Sequence, residues 1–460
     1  AVSAASHTGN LAGSNEAYHG IFQKYGVIAV DDFDQLMTMA HTLSILNGNL
    51  PLSPAYGGLA LSGGENTLFA DIGTTIGLEL PPFAPETRAR LEAHIPHFAT
   101  PHNPCDTTTH LFYNEQAIHG VLTAVDADPN VGATFISVNI NQEETPIWQH
   151  FCRSVAEAKK SCSKPVLAIP ASEGSRNKRL RRLLEVEGIP MMASPATSLK
   201  CLRYLADFIC YKAEDRTLLP AAHHEEPDSS NWSARTEADS KNVLCRFGIP
   251  IPKGTLIQQE SELIQAMEGL APPYVMKINS PDVQHKSDVG GVRLNIQSRS
   301  EATAAYNDII QKIHLAKPEA AINGILFEEM LPPGLELILG VKNDPQLGPM
   351  LLIGLGGIFV EVMEDIAVYP APLSRSEAIG MLRGLKAYPL LEGVRGNRPC
   401  DLEALVSMMV NVGEFAYQHR ATVKEIDLNP VFVYGEGGGA VAVDALVIEY
   451  AAAPANVPAN

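Results

Sequence analysis

Lys277-Ile278-Asn279-Ser280-Pro281-Asp282-Val283-Gln284-His285-Lys286-Ser287-Asp288-Val289-Gly290-Gly291-Val292 is the stretch on which the reading of this chain turns. A lysine closes the apolar run Tyr274-Val275-Met276, so the sequence predicts a strand that ends on an ammonium group. Gly290 and Gly291 let backbone amides come close to a ligand, which suits a nucleotide phosphate. Gly-Gly after a strand is a weak signal and usually marks a bulge or turn. His285 is the residue that phosphate binding alone does not require. An imidazole in such a loop suggests phosphoryl transfer onto nitrogen, although loop histidines are more often simply exposed.

Bulk properties narrow the field. The 460 residues suffice for about three domains. A formal charge of −18, from 34 basic and 52 acidic residues, argues against nucleic acid or an anionic membrane as partner. A polyanion such as ATP then has to be met by a few local cations and a metal ion. The seven cysteines, at 105, 152, 162, 201, 210, 245 and 400, contain no Cys-x-x-Cys pair. They read as reduced thiols of a cytoplasmic protein rather than a zinc site or disulfide framework. No apolar run is long enough to span a bilayer, and no signal peptide is visible.

Outward from the quoted stretch, strands alternate with helical patterns. In the N-terminal half we expect a helix over 14–25, a strand over 27–30, and a strand over 58–61 running into a helix opened by Ser62-Gly63-Gly64. Further buried strands are expected over 133–138 and 165–169, which makes a parallel, doubly wound sheet. The charged segment around His223-His224-Glu225-Glu226-Pro227 is the clearest linker. Beyond it we expect a helix over 234–247 and strands over 324–330, 335–341 and 349–353, with a final pair ending at Val433 and Asp444.

Four more groups carry chemistry. Phe327-Glu328-Glu329-Met330, running into Leu331-Pro332-Pro333-Gly334 and Glu336, could offer backbone to an adenine edge and a carboxylate to a ribose. Alone it is equally an amphipathic strand and turn. In Glu425-Ile426-Asp427-Leu428-Asn429-Pro430, alternation places Glu425, Asp427 and Asn429 on one strand face. Asn429 and Asp444, from neighbouring strands, are our candidate Mg²⁺ ligands, with phosphate oxygens completing the shell. His7 sits among small residues in Ala5-Ser6-His7-Thr8-Gly9, accessible to more than one partner or simply a loose terminal histidine. Ser62, Gly63 and Gly64 form a strand-to-helix junction that can bind phosphate through bare amides.

Taken together, these motifs resemble the NDP-forming acyl-CoA synthetase superfamily, which includes ADP-forming acetyl-CoA synthetase, feruloyl-CoA synthetase and succinyl-CoA synthetase. Ser6-His7-Thr8-Gly9, Ser62-Gly63-Gly64, Asn103-Pro104-Cys105-Asp106, the quoted stretch, Leu391-Glu392-Gly393 and Asp427 to Pro430 carry the likeness, in order along the chain. The resemblance implies an α/β protein with flavodoxin-like succinyl-CoA-ligase domains followed by an ATP-grasp domain. Residues 1–48 would then be the end of a first flavodoxin-like domain, 49–214 a second, 215–232 a linker and 233–460 the ATP-grasp domain. It also implies an acid–thiol ligase that uses ATP, Mg²⁺ and CoA. By resemblance, His7 is the phosphorylated residue, His285 a second phosphate carrier, and Asp427 the carboxylate that steadies phosphohistidine. Lys277, Glu328, Glu329 and Glu336 match ATP-contacting positions, and Asn429 and Asp444 the Mg²⁺ ligands.

The CoA-binding domain that normally precedes the His7 loop is missing from this sequence, which therefore looks like a fragment. A homo-oligomer, or a partner chain supplying CoA binding, is implied. The acid is expected to be acetate, another short acid or a hydroxycinnamate. The rival expectation is a ligand-sensing module like the synthetase-like part of protein acetyltransferases; retention of His7, His285 and the Asn429/Asp444 pair argues against it.

Overall fold

The computed structural model describes residues 15–140, 145–171, 177–211, 216–217, 232–283, 285–356, 365–394 and 398–450. The chain divides into two compact units, Gly26–Lys212 and a second made of Ala1–Tyr25 with Ala213–Asn460.

The Gly26–Lys212 unit is a parallel sheet of β1 (Tyr56–Ala60), β2 (Cys105–Asp106), β3 (Ala133–Ser137) and β4 (Val166–Ile169), in the order β2-β1-β3-β4. Strands β1, β3 and β4 are buried along their whole length, as strands covered on both faces must be. Tyr56, Phe135 and Leu167 point into a core with the helices Phe33–Leu46, Gly63–Ile76 and Pro195–Ile209. Leu59, Ile136 and Ala168 point the other way, toward Glu115–Asp126, Pro146–Lys159 and Lys178–Val186. The strand expected over 27–30 does not form. Val27 is half-exposed, Ile28 alone packs against the helical core, and the segment is an unpaired connection.

The second unit holds two antiparallel sheets. The smaller contains β6 (Gly254–Ile257), β7 (Tyr274–Asn279), β8 (Val292–Ile296) and β9 (Gly324–Glu329), in the order β6-β9-β7-β8. Tyr274, Met276, Ile278 and Phe327 face the helix Arg299–Ala316 through Ile309 and Ile313. The period of two sends Lys277, Asn279 and Glu328 to the opposite face, where all three are nevertheless buried.

The larger sheet runs β12 (Ile366–Pro370), β11 (Gly348–Leu355), β10 (Leu335–Asp344), β13 (Val423–Val433), β15 (Leu446–Tyr450) and β5 (Trp232–Ala234), with β14 (Ala440–Ala442) paired to β13. Leu337, Leu339, Leu351 and Ile353 pack on one side with the helix Leu402–Gln418. Ile338, Met350, Leu352 and Val368 on the other side are covered by Ala17 and Ile21 of the helix Asn15–Tyr25. That helix lies so close to β12 that a Cβ on Gly20 would stand 2.5 Å from the Val368 carbonyl oxygen. Its Lys24 is buried and donates to the carbonyls of Pro370 (3.1 Å) and Pro372 (2.6 Å), with the Glu377 carboxylate 3.6 Å away.

Candidate active site at the seam of two sheets

The helix Glu237–Arg246 closes over the polar face of the small sheet. Thr236 caps it by accepting from the Asp239 amide, and Asn279 of β7 accepts from the Ala238 amide at 3.2 Å. Its Leu244 belongs to the core of the large sheet, so the helix binds one sheet by its apolar end and meets the other with its first turn. Glu237 and Lys241, four residues apart, share the face turned toward β7 and β9.

The result is a buried ion cluster. Glu237 accepts from Lys241 and Lys277, both at 2.7 Å, and Lys286 Nζ lies 2.6 Å from its second oxygen. Glu328 accepts from Lys241 at 2.6 Å and lies 3.4 Å from Lys277. Lys277 also donates to the Val443 carbonyl at 2.9 Å. Lys286 reaches on to Asp444 at 3.4 Å. Three ammonium groups thus face three carboxylates. Lys277 and Glu328 meet across β7 and β9 as diagonal neighbours, since Lys277 pairs with Leu326 and Val275 with Glu328.

Electrostatics follows from this packing. Burial pushes the Glu237 carboxyl upward, but the ammonium groups of Lys277, Lys241 and Lys286 outweigh it and hold it well below the usual carboxylate range. For Lys277 burial acts downward, and Glu237, Asp444 and Glu328 reverse it, so its ammonium form persists beyond the usual lysine range. Lys286 is raised for the same reason, with Asp444 the larger and Glu237 the next of its two supports. Glu237, Lys277 and Lys286 are thus held in their charged forms by one another, and each member of the cluster requires the others.

Asp444, expected in a strand, lies instead in the break between β14 and β15. Asp427 pairs with Leu446 and Val431 with Ala442, so this break runs alongside the part of β13 that holds Asn429. The Val443 amide donates to the Pro430 carbonyl at 3.0 Å beside them. Asp427 lies on the same half-buried face as Asn429, while Ile426 and Leu428 turn into the core. Among the described residues no group of three or more His, Cys, Asp or Glu is placed to hold a metal. A hard-oxygen pair that leaves the remaining positions to phosphate and water fits Mg²⁺ without such a group. The Lys286 ammonium against Asp444 shows that this position draws a cation.

His285 is exposed at the turn next to Lys286, and Gln284 lies outside the described residues. Glu329, on the opposite strand face from Glu328, accepts from the Ala271 amide at 3.0 Å instead of joining the cluster. Glu336 is exposed at the start of β10, its carbonyl accepting from Gly356 at 2.7 Å. His7 lies outside the described residues. Ser62, Gly63 and Gly64 belong to the Gly26–Lys212 unit, where the helix N-terminus is capped rather than bare. Ser62 accepts from the Glu65 amide, and the Glu65 carboxylate accepts from the Leu61 amide and from Asn139. The junction follows β1, where the strand order β2-β1-β3-β4 reverses.

Glu237, Lys241 and Lys286 escaped the sequence reading. Glu237 and Lys241 look like an ordinary solvent-facing i, i+4 pair. The available signal was their alignment with Leu244 on a single helix face, which makes that face the buried one.

The family described as the ATP-grasp domain matches residues 228–448, and the succinyl-CoA ligase like flavodoxin domain matches residues 1–43. An ADP-forming acetate–CoA ligase I beta subunit from Pyrococcus furiosus is 43% identical over 212 residues, 46% of this chain and 90% of that protein. ADP-forming acetate–CoA ligase I of Archaeoglobus fulgidus is 31% identical over 448 residues, 95% of this chain and 63% of the relative. A trans-feruloyl-CoA synthase from an unknown prokaryotic organism is 28% identical over 97% of this chain and 62% of its own length. The chain thus spans less than two thirds of these two longer relatives. With an α/β architecture, an ATP-grasp domain and this degree of identity to the Pyrococcus subunit, the chain belongs to the family of ADP-forming acyl-CoA synthetases.

Proposed function

We propose that the protein is an ADP-forming acyl-CoA synthetase, joining a carboxylic acid to CoA while ATP becomes ADP and phosphate. The buried cluster of Lys277, Glu237, Lys241, Glu328 and Lys286, beside Asn429 and Asp444, is the observation that carries this reading. It concentrates cations and hard oxygen ligands where two sheets meet, which is what a Mg²⁺–nucleotide needs.

In this reading Lys277 neutralises phosphate charge, and Glu237 with Glu328 keeps its ammonium aimed and protonated. Asn429 and Asp444 would hold Mg²⁺, which when bound would supply positive charge against the phosphates. His7 is the phosphorylated residue, His285 on the adjoining turn is the second phosphate carrier, and Asp427 steadies a phosphoimidazole. Glu329 and Glu336 would contact the nucleotide, and the Ser62-Gly63-Gly64 junction would receive phosphate. The acid is acetate, another short acid or a hydroxycinnamate, in keeping with the names of the acetate and feruloyl relatives. CoA binding comes from a further part of the protein or from a partner chain, as the beta-subunit name of the Pyrococcus relative suggests. No described helix is long and apolar enough to cross a membrane, and we place the enzyme in the cytoplasm.

The test is incubation with Mg²⁺ and γ-labelled ATP, followed by nucleotide analysis and acid lability of the protein-bound label. ADP and an acid-labile, base-stable label that is lost in His7→Ala and reduced in His285→Asn are expected. AMP as product, or no phosphohistidine, overturns the reading.

A further inference from the structure

Lys286, next to His285, reaches both Glu237 and Asp444 with its ammonium. Its backbone is fixed from one direction, because the Gly291 amide donates to the Lys286 carbonyl at 2.7 Å. Gly291 is needed there: a Cβ would stand 3.0 Å from that oxygen and 2.6 Å from Ile278 Cγ2. Its side chain is fixed from the other, with Nζ 2.6 Å from Glu237 and 3.4 Å from Asp444. Glu237 is almost wholly buried, whereas the Asp444 side chain keeps about a third of its surface open (35%). The contact to Glu237 is thus the closed one and the contact to Asp444 the replaceable one. Asp444 is also the carboxylate proposed above to hold Mg²⁺, so one oxygen set has two cationic claimants.

We infer that Lys286 is a positioning residue whose ammonium holds the cation place at Asp444 until a divalent metal takes it. Resting on the reading of Asp444 as a metal ligand, the exchange ties metal arrival to the turn that carries His285. A metal at Asp444 would repel the ammonium, which would pivot on Glu237 and let the 286–291 turn loosen. No covalent bond changes in this step. It is a swap of one cation for another at a carboxylate, and it couples two sites through a shared charge.

The experiment uses Mn²⁺ alone as probe, without nucleotide, followed by electron paramagnetic resonance, alongside hydrogen exchange over residues 285–291. Lys286→Gln is expected to bind Mn²⁺ about two- to fivefold more tightly than wild type, the scale of a partly exposed ion pair. Its 285–291 amides should exchange fast with or without metal, whereas in wild type only Mn²⁺ should accelerate them. Lys286→Arg preserves the ion pair and should behave as wild type, which guards against misfolding of the glutamine variant. Asp444→Asn should abolish Mn²⁺ binding in either background. Equal Mn²⁺ affinity and equal exchange in wild type and Lys286→Gln overturn the inference. Because no turnover is measured, that failure is distinct from failure of the synthetase reading, which rests on labelled ATP.

Discussion

Glu237 holds three ammonium groups with one carboxylate, and its substitution therefore differs from that of a surface glutamate. Glu237→Gln leaves three buried cations undercompensated and is expected to cost about 3–5 kcal/mol in urea unfolding at neutral pH. The pH dependence follows from the lowered pKa of this carboxyl. Its stabilising share is complete above its ordinary value of 4.5 and is lost as pH falls below that, toward a folded-state value far lower. Wild-type stability should therefore fall steeply below about pH 4.5, with a smaller slope in the glutamine variant. Lys277→Met removes this ammonium and, besides destabilising the cluster, should weaken Mg²⁺–ADP binding by about tenfold or more in calorimetry, the scale of a charge-assisted contact. Unchanged affinity would remove Lys277 from the nucleotide site.

At the scale of elements, the sequence disclosed most where periodicity and chemistry agreed. Tyr274-Val275-Met276-Lys277 read as a strand ending on a lysine, and β7 is that strand, carried two residues further to Asn279. Asn429 and Asp444 read as neighbours across two strands; the structure puts Asn429 in β13 and Asp444 in the break between β14 and β15 that flanks it. The cluster's other half stayed hidden because it arises from contact between a helix and strands up to about ninety residues away, as in Lys241 with Glu328. The 27–30 run failed for the reverse reason, since four apolar residues satisfy a strand's composition without any edge to pair with. The capped junction at Ser62 was missed because Glu65 reads equally as a helix surface residue. Close packing at the element scale is most exposed at Gly20. Gly20→Val drives a side chain into β12 and should cost about 1–3 kcal/mol, seen as faster hydrogen exchange throughout residues 15–25. Protection equal to wild type would mean that this close approach is not needed in solution.

At the scale of the whole molecule, the boundary drawn by chain order and the boundary drawn by packing do not coincide. The flavodoxin-like match runs over residues 1–43, yet residues 15–25 sit with the large sheet of the second unit while Gly26 onward builds the first. A polypeptide limited to residues 228–460 would leave Ile338, Met350, Leu352 and Val368 without Ala17 and Ile21. It should be prone to self-association in light scattering. A peptide spanning residues 14–26, added in trans, should suppress that association and raise Tm by about 2–4 °C for each kcal/mol of binding. No effect of the peptide would show that the helix contributes little to this face.

The clasp of Lys24 on the carbonyls of Pro370, at the end of β12, and Pro372 has a practical meaning for dissecting this protein. The helix is held by contacts that do not depend on the peptide bond at Tyr25–Gly26. A cut between those residues is therefore expected to give a short N-terminal piece that reassociates with the rest of the chain, a split point for reporters.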